Sequence, residues 1–327
     1  MIEASDGMKM ENLVLYRGSE FNANFFYHTG LDIDHSFYVK LGGKETLVVP
    51  KLNERAAKLA FKGKVIMYKK PSEDVLKLVL GKKLALDYST LSVRIYERLN
   101  WGAKIEDASE ALLAVRAVKK KSELADMKKA ANLTRKLFSE LDSTLEKFKT
   151  EMDVRNWLYS RTYEMGLEPA FEPIVGSGVN SAFPHYHPSA SKIRNFALVD
   201  YGVRYKHYCA DLTRVLFVKR EPKIALAYEK VEGIFHEILD NFPEFENGDD
   251  VAVFAEKMFE KHHLPKSIHS IGHGVGLDVH EFPRLNRKYT DGLKGAVMAI
   301  EPGAYFKNFG VRFEEIIYFD GKKARVL

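Results

Sequence analysis

The sequence predicts two domains, a smaller N-terminal α/β domain and a larger α+β domain. The chain has 327 residues, enough for two ordinary domains. In the first third, short strand-like runs alternate with amphipathic helical stretches, which is typical of an α/β layer. Farther along, helical segments alternate with strand-like segments that fold into hairpins. We place the boundary near residue 118, beside a run of lysines, and expect domains at 1–118 and 119–327.

The elements of the first domain follow from short apolar patterns. Two runs, 45–50 and 83–88, predict strands. Two others, 53–61 and 91–99, predict helices. A helical period then continues through residues 111–148, with apolar residues recurring every three or four positions after Ser122. We expect Ser122 to cap the start of this long helix.

The second domain has a different pattern. Three amphipathic stretches predict helices at 152–166, 223–242 and 250–263. Two apolar segments that end in glycine occupy 171–178 and 195–202, and the chain finishes in strand-like segments after residue 295.

Composition excludes several classes of protein. Hydrophobic content of 46% and charged content of 29% are typical of a globular chain. No apolar run reaches the length of a membrane span, and the N-terminus is too polar for a signal peptide. Cys209 is the single cysteine, so no intrachain disulfide is possible and the cytoplasm is the expected compartment. A net charge of +5 and the absence of a basic stripe argue against nucleic acid as a partner.

One short segment concentrates histidine. Residues 267–283, SIHSIGHGVGLDVHEFP, hold His269, His273 and His280 among glycines that let other groups approach closely. A glycine-rich turn that happens to carry histidine is one interpretation. A metal-centred active site is the other.

Two hairpins bear on that choice, because each carries a pair of acids. A turn at Tyr205-Lys206 would place Asp200 opposite Asp211. A turn at Lys307-Asn308 would likewise place Glu301 opposite Glu314. Opposed like charges destabilise a strand pair, so each pair needs a compensating partner, unless one acid of each pair points to solvent. Four carboxylates and an imidazole match what two divalent ions require, with a hydroxide held between the ions.

Five sequence blocks carry a resemblance to a known family. VDYG, CADLTR, IGHGVGLDVHEFP, AIEPGAY and GVRFEE resemble, in order and spacing, the signature blocks of the pita-bread metallopeptidases. The chain is most similar to Xaa-Pro dipeptidases, or prolidases, of the archaeal type. The resemblance is strong from about residue 112 onward and weaker over the N-terminal third. It implies a C-terminal pita-bread fold, in which helices cover a curved antiparallel sheet with an internal duplication, behind a smaller creatinase-like domain.

The resemblance also implies roles for individual residues. Asp200 would bind one ion, Asp211 and Glu314 would bridge both, and His273 and Glu301 would complete the second ion's ligands. His280 and His185 would contact the substrate, and Glu301 or Glu314 would shuttle the proton. Arg284 would bind the carboxylate of a C-terminal proline, against the alternative of a solvent-exposed arginine. Arg312 would contact substrate, orient the acids or balance their charge. Five other histidines are interpreted as structural or surface residues: His187, His207, His262, His263 and His269. Cys209 is interpreted as a buried small residue.

The predicted function is hydrolysis of the Xaa-Pro bond of dipeptides, with two divalent ions per chain. Mn²⁺ or Co²⁺ is favoured, and Fe²⁺ and Zn²⁺ also suit such ligands. An Xaa-Pro aminopeptidase that acts on longer peptides is the first alternative, and a metal-free binding module of the same fold is the second. A methionine aminopeptidase fits less well, because those enzymes usually lack a domain like residues 1–118. The resemblance further implies short proline-containing peptides as partners and a homodimer.

Overall fold

A computed structural model describes residues 10–100 and 103–327. The chain divides into two compact units, Met1–Arg116 and Ala117–Leu327. In the described parts of both units, no helix combines the length and the apolar character needed to cross a bilayer.

The first unit contains a mixed sheet of six strands. The strands are β1 (Asn12–Arg17), β2 (Ser36–Leu41), β3 (Lys44–Val49), β4 (Lys64–Met67), β5 (Lys83–Leu86) and β6 (Lys104–Asp107). Their order is β4-β3-β2-β1-β5-β6; β1, β2 and β3 pair antiparallel, and the outer pairings are parallel. The helices are α1 (Ala23–Thr29), α2 (Glu54–Ala60), α3 (Pro71–Val79), α4 (Val93–Asn100) and α5 (Ser109–Ala117). The predicted strands at 45–50 and 83–88 and helices at 53–61 and 91–99 are confirmed as β3, β5, α2 and α4.

The second unit mixes long helices with short antiparallel strands. Its helices are α6 (Lys121–Asp142), α7 (Glu151–Glu164), α8 (Pro222–Asn241) and α9 (Gly248–Lys261). The strands are β7 (Glu168–Pro169), β8 (Ile174–Gly176), β9 (Phe196–Tyr201), β10 (Val203–Tyr205), β11 (Tyr208–Cys209), β12 (Leu212–Phe217), β13 (Gly272–Gly274), β14 (Glu281–Leu285), β15 (Val297–Ile300), β16 (Gly303–Tyr305), β17 (Gly310–Arg312), β18 (Glu315–Phe319) and β19 (Ala324–Val326).

Helices cover these strands on two sides. Buried residues of α6 and α7, such as Leu137 and Leu158, form one core cluster with strand residues that include Val199. Buried residues of α8 and α9, such as Phe235 and Phe259, form a second cluster with other strand residues. All six residues of β9 are buried, which explains why its sequence is apolar apart from Asp200. The predicted metal ligands therefore lie on, or directly beside, strands whose positions are fixed by packing on both sides.

The long predicted helix is two helices. α5 ends at Ala117 and α6 begins at Lys121, so the lysine run interrupts the helical period. Ser122 is not the cap, and the expectation was wrong. Lys120 precedes the first turn, and its backbone N–H donates to the carboxylate of Glu123 at 2.9 Å. A glutamate at this position accepts from the N–H of the residue before the helix, which is the half of a capping box that glutamate supplies.

The first hairpin has a different register from the one predicted. Thr213, and not Asp211, pairs with Asp200. The turn lies one residue later than expected, at Lys206 and His207, whose φ angles are 47° and 70°. Two left-handed residues are typical of a two-residue hairpin turn, which usually contains Asn or Gly, so this sequence gave little signal of the turn. Moving the turn by one residue shifts the pairing by two, which keeps Asp211 on the same face as Asp200.

The second hairpin has the predicted register. Phe306 N–H donates to the carbonyl of Phe309 at 2.8 Å, which confirms a turn at Lys307-Asn308. The ladders on either side of Glu301 and Glu314 continue in that register, through Gly303 with Arg312 and Ile300 with Glu315.

Candidate metal centre

One cavity of about 630 Å³ in the second unit collects most of the predicted site residues. Its lining includes five acids, five histidines and one arginine: Glu172, Asp200, Asp211, Glu301, Glu314, His185, His187, His269, His273, His280 and Arg312. The volume lies in the range of small-molecule sites, about 300–1,000 Å³. Of the nine predicted site residues, Arg284 alone is missing from this lining.

Three of the predicted ligands form a compact group. One atom each from Asp211, His273 and Glu314 lies within 4.8 Å of the others, and all three residues are buried. Nδ1 of His273 lies 3.1 Å from the carbonyl oxygen of Gly274. Since a carbonyl only accepts, Nδ1 carries the proton and Nε2 presents a lone pair. Nε2 faces Asp211 Oδ2 at 3.6 Å and Glu301 Oε1 at 3.9 Å, so it points toward the acids.

Asp200 and Glu301 complete the set of acids around this group. Asp200 is 8% exposed, and its Oδ1 is buried without a hydrogen-bond partner among the described residues. Oδ1 of Asp211 is in the same condition. A buried carboxylate oxygen without a partner is costly, and a bound cation is the usual partner at such a position.

The electrostatics of the metal-free chain disfavour four ionised acids. Burial, followed by the charges of Glu314, Asp200 and Glu301, raises the pKa of Asp211 well above its ordinary value. Burial and the charges of Asp200 and Glu301 raise the pKa of Glu314 in the same way. For Glu301, burial raises the pKa to about 8, although Arg312 opposes the shift. Divalent cations would relieve this repulsion, so the residues fit the ions that the sequence predicts.

A chain of hydrogen bonds through Thr213, Arg312 and Tyr305 holds the acids in place. The sequence did not predict the parts of Thr213 and Tyr305 in it. Thr213 Oγ1 donates to Glu314 Oε2 at 2.6 Å and accepts from Arg312 Nε at 3.0 Å. Arg312 also donates to Asp200 Oδ2 and to the hydroxyl of Tyr305. Arg312 is 2% exposed, so this geometry supports the role of orienting the acids over direct contact with substrate. The position of Thr213, two residues after Asp211, was the available signal, because alternation puts both on one face.

His269 lines the cavity but has protein partners for both ring nitrogens. Nδ1 lies 2.7 Å from the carbonyl of Ser270, and Nε2 lies 2.8 Å from the hydroxyl of Tyr305. Nδ1 must therefore donate, and Nε2 accepts from Tyr305. Burial lowers the pKa of His269 to about 4, so the ring is neutral at neutral pH. The structural interpretation of His269 agrees with these contacts.

The two histidines expected to contact substrate differ from His273 in exposure. His185 and His280 are exposed at the cavity surface, whereas His273 is buried. The rings of His273 and His280 lie edge to face with centroids 4.3 Å apart. Burial lowers the pKa of His280, which favours a neutral ring. A neutral imidazole beside the ligand group retains one N–H that it can donate to a developing anion.

Arg284 lies outside the cavity lining. Its Nε and Nη2 donate to the two carboxylate oxygens of Asp291 at 2.8 and 2.9 Å. The guanidinium also lies over the rings of Phe282 and Tyr289, 4.2 and 4.3 Å from their centroids. The backbone of Arg284 pairs with that of His273, but its guanidinium is bound by Asp291 and does not line the cavity.

Cys209 is fully buried, as predicted. Burial raises the pKa of its thiol to about 12, so the reactive thiolate is suppressed.

Residues 125–320 match metallopeptidase family M24, and residues 10–118 match the creatinase/prolidase N-terminal domain. The first match covers more than half of the chain. The chain belongs to metallopeptidase family M24. The buried group of Asp211, His273 and Glu314 thus lies in a chain of the family that the five sequence blocks resemble.

Individual relatives agree with the family. The chain is 30% identical to an Xaa-Pro dipeptidase of Pyrococcus furiosus, over 93% of this chain and 90% of that one. The solved prolidase from the same organism superposes with a TM-score of 0.85 at 26% identity, covering 97% of this chain and 96% of that chain. This likeness confirms the predicted pita-bread fold with a smaller N-terminal α/β domain.

Two further matches differ from these in coverage or in identity. An uncharacterized peptidase of Methanocaldococcus jannaschii is 34% identical over 64% of this chain, and the match spans 62% of that relative's length. The structure of an X-Pro aminopeptidase from Thermotoga maritima has a TM-score of 0.87 at 23% identity, covering 97% of this chain and 95% of that chain. At that identity the second likeness shows the fold alone.

Proposed function

We propose that this chain hydrolyses the Xaa-Pro bond of dipeptides with two divalent ions bound at the candidate metal centre. The observation that carries the proposal is the juxtaposition of Asp211, His273 and Glu314 at one buried point of a cavity, beside the exposed histidines His185 and His280. The full-length similarity to the Pyrococcus furiosus dipeptidase supports the choice of substrate.

The protein's first task is to hold the ions. Asp200 would bind one ion, Asp211 and Glu314 would bridge both, and His273 Nε2 and Glu301 would complete the second set. When bound, the two ions would polarise the scissile carbonyl and supply hydroxide at neutral pH. Hydrogen bonds from Thr213 and Arg312 hold one oxygen each of Glu314 and Asp200, which orients both carboxylates for the ions.

The remaining site residues act on the substrate. The N–H of His280 stabilises the carbonyl oxygen as it becomes anionic, and His185, which also lines the cavity, contacts the substrate. Glu301 carries a proton to the proline nitrogen of the leaving group, with Glu314 as the alternative carrier. The buried environment that raises the pKa of Glu301 to about 8 also allows this carboxyl to hold a proton at neutral pH in the metal-free chain.

An Xaa-Pro aminopeptidase is the second candidate, and the position of Arg284 favours it. A dipeptidase must bind the free carboxylate of proline, and Arg284 was the residue expected to do so. In the structure both carboxylate oxygens of Asp291 occupy Nε and Nη2 of Arg284. An aminopeptidase needs no such contact, because in a longer peptide the carboxyl group of proline is part of the next peptide bond.

A hydrolysis assay separates the candidates. Purified protein, stripped of metal and reloaded with Mn²⁺, Co²⁺, Fe²⁺ or Zn²⁺ in turn, is given Xaa-Pro dipeptides and Xaa-Pro-Yaa tripeptides. We expect the dipeptides to be cleaved faster, and Mn²⁺ or Co²⁺ to restore most activity. Faster cleavage of tripeptides would favour the aminopeptidase. No cleavage with any ion, together with no bound metal, would favour a metal-free binding module. The homodimer and the cytoplasmic location stay predictions.

A further inference from the structure

A six-residue loop connects the metal-ligand histidine to the substrate histidine. His273 lies on β13, and residues 275–280 then lead to Glu281, the first residue of β14. His280 is the last residue of this loop, and its ring lies against the ring of His273. The shape of the loop therefore fixes where His280 lies relative to the acids.

The carboxylate of Glu281 lies inside this loop. Its Oε1 accepts the backbone N–H of Asp278 at 3.0 Å. A Cβ atom built on Gly276 would lie 2.4 Å from Oε2, so a side chain at residue 276 would displace the carboxylate. Glu281 is 4% exposed, which means that the loop is built around a buried negative charge.

Lys119 provides the positive charge. Its Nζ lies 3.0 Å from Oε2 of Glu281, and each side chain of this pair is 1% exposed. The backbone of Lys119 is itself fixed, because its N–H donates to the carbonyl of Gly295 at 2.9 Å. A buried carboxylate is costly without a partner, so the loop keeps this conformation only while the ion pair is intact.

We propose that the Lys119–Glu281 ion pair is a positioning device for His280. The inference rests on the proposed function, in which His280 contacts the reacting carbonyl. Lys119 belongs to the lysine run before α6, and Glu281 directly follows His280 in the sequence. The structure assigns both to one unit that acts on catalysis through the position of the His280 ring.

The test compares Lys119→Met, Glu281→Gln and the double variant, each in the wild-type chain and in a His280→Ala chain. We expect each single change to lower kcat by about tenfold to a hundredfold, the scale of a small misplacement of a catalytic group. KM should stay within about twofold and metal content should stay at the wild-type level. The double variant should lose no more than the worse single variant, because the two residues act as one unit.

The His280→Ala background separates positioning from general support of the fold. If the ion pair acts through His280, neither substitution lowers kcat further in that background. A further loss of the same size there would overturn the inference. As a matched control, Lys206→Met with Asp126→Asn removes an ion pair of the same 3.0 Å length whose lysine is exposed, and kcat should not change.

The remaining outcomes are also decisive. Full kcat in Glu281→Gln, with His280→Ala impaired, would overturn this inference alone. Full kcat in His280→Ala would instead overturn the proposed role of His280. If Glu281→Gln does not fold, the double variant is used instead, because it removes both buried charges together. Normal kcat in the double variant would overturn the inference. A loss of kcat that occurs only in the chain with His280 would support it.

Discussion

The hydroxyl of Thr213 donates to Oε2 of Glu314 at 2.6 Å, at the bridge where the backbones of the two residues pair. The hydroxyl oxygen of Thr213 in turn accepts from Nε of Arg312 at 3.0 Å. A hydroxyl has a single proton, so the arginine contact forces that proton toward Glu314. Thr213 thereby orients the carboxylate of Glu314 relative to the other acids.

Replacing Thr213 with Val should weaken metal binding while leaving the shape of the side chain nearly unchanged. The change leaves Glu314 Oε2 and Arg312 Nε without their shared partner. Loss of such an outer partner typically lowers metal affinity by about 10- to 100-fold. Titration against a competing chelator measures the effect. Thr213→Ser keeps the hydroxyl and should retain affinity; equal weakening by Ser and Val would show that the methyl group matters and not the hydrogen bond.

The bridging role of Asp211 predicts a loss at both ion sites. Elemental analysis of the reloaded wild-type protein should approach two divalent ions per chain. Asp211→Asn should reduce occupancy of both ions and remove most activity, because one bridging ligand serves both. Full activity and full metal content in Asp211→Asn would show that the ligand assignment is wrong.

His280 should affect turnover and not metal binding. His280→Ala removes an N–H donor from the exposed surface of the cavity, and we expect kcat to fall by about a hundredfold or more. Metal content should remain near that of the wild type, since the side chain lies outside the compact group of Asp211, His273 and Glu314. Loss of the ions in this variant would instead identify His280 as a ligand.

The acids predict how the stability of the metal-free chain depends on pH. Burial raises the folded-state pKa of Glu301 from 4.5 to about 8. A raised carboxyl pKa stabilises the fold at low pH, and that contribution is lost as the pH rises through the folded-state value. In chelator, the melting temperature should therefore fall as the pH rises from 4.5, the ordinary carboxyl pKa, to the folded-state value of about 8.

Two comparisons isolate the contribution of Glu301. Glu301→Gln cannot ionise, so its melting temperature should fall less over the same pH range. Added metal should remove the decline in the wild type, because cations stabilise the ionised acids. An unchanged slope in Glu301→Gln would assign the pH dependence to other groups.

Much of the fold and of the acid pattern could be predicted from sequence, because strand alternation and turn position are local. Glu301 and Glu314 were placed in register, since the polar residues Lys307 and Asn308 mark the turn between apolar strands. The other hairpin was displaced because Lys206 and His207 adopt left-handed conformations that side chains of their type rarely show. The error was harmless to the site, because a shift of two residues preserves the face.

The contacts that could not be predicted join residues far apart in the chain. Lys119 meets Glu281 across 162 positions, and Thr213 meets Glu314 across 101. Sequence periodicity carries no information about such distant pairs, so the sequence alone could not identify Lys119 as buried. Arg284 shows the opposite limit: the motif places it near the site, but Asp291, seven residues later, competes for its guanidinium.

Arg284 gives the sharpest test of dipeptidase against aminopeptidase. If Arg284 binds the carboxylate of proline, Arg284→Lys should weaken kcat/KM for an Xaa-Pro dipeptide by about 1.5–3 kcal/mol, the scale of hydrogen bonds to charged groups. Lysine keeps the charge but lacks the planar fork that meets a carboxylate with two parallel hydrogen bonds. A C-terminally amidated dipeptide should lose far less from the same change, because it presents no carboxylate.

Asp291 supplies the control for this experiment, because Arg284 is already engaged with it. Asp291→Asn removes the competing charge. If Arg284 binds the proline carboxylate, this variant should therefore bind the free dipeptide at least as well as the wild type. An arginine that only supports β14 and its neighbours Phe282 and Tyr289 would instead make both variants lose equally on the free and the amidated dipeptide. Equal losses would remove the carboxylate contact from the dipeptidase proposal. Faster cleavage of Xaa-Pro-Yaa tripeptides by the wild type would then identify the aminopeptidase as the better description.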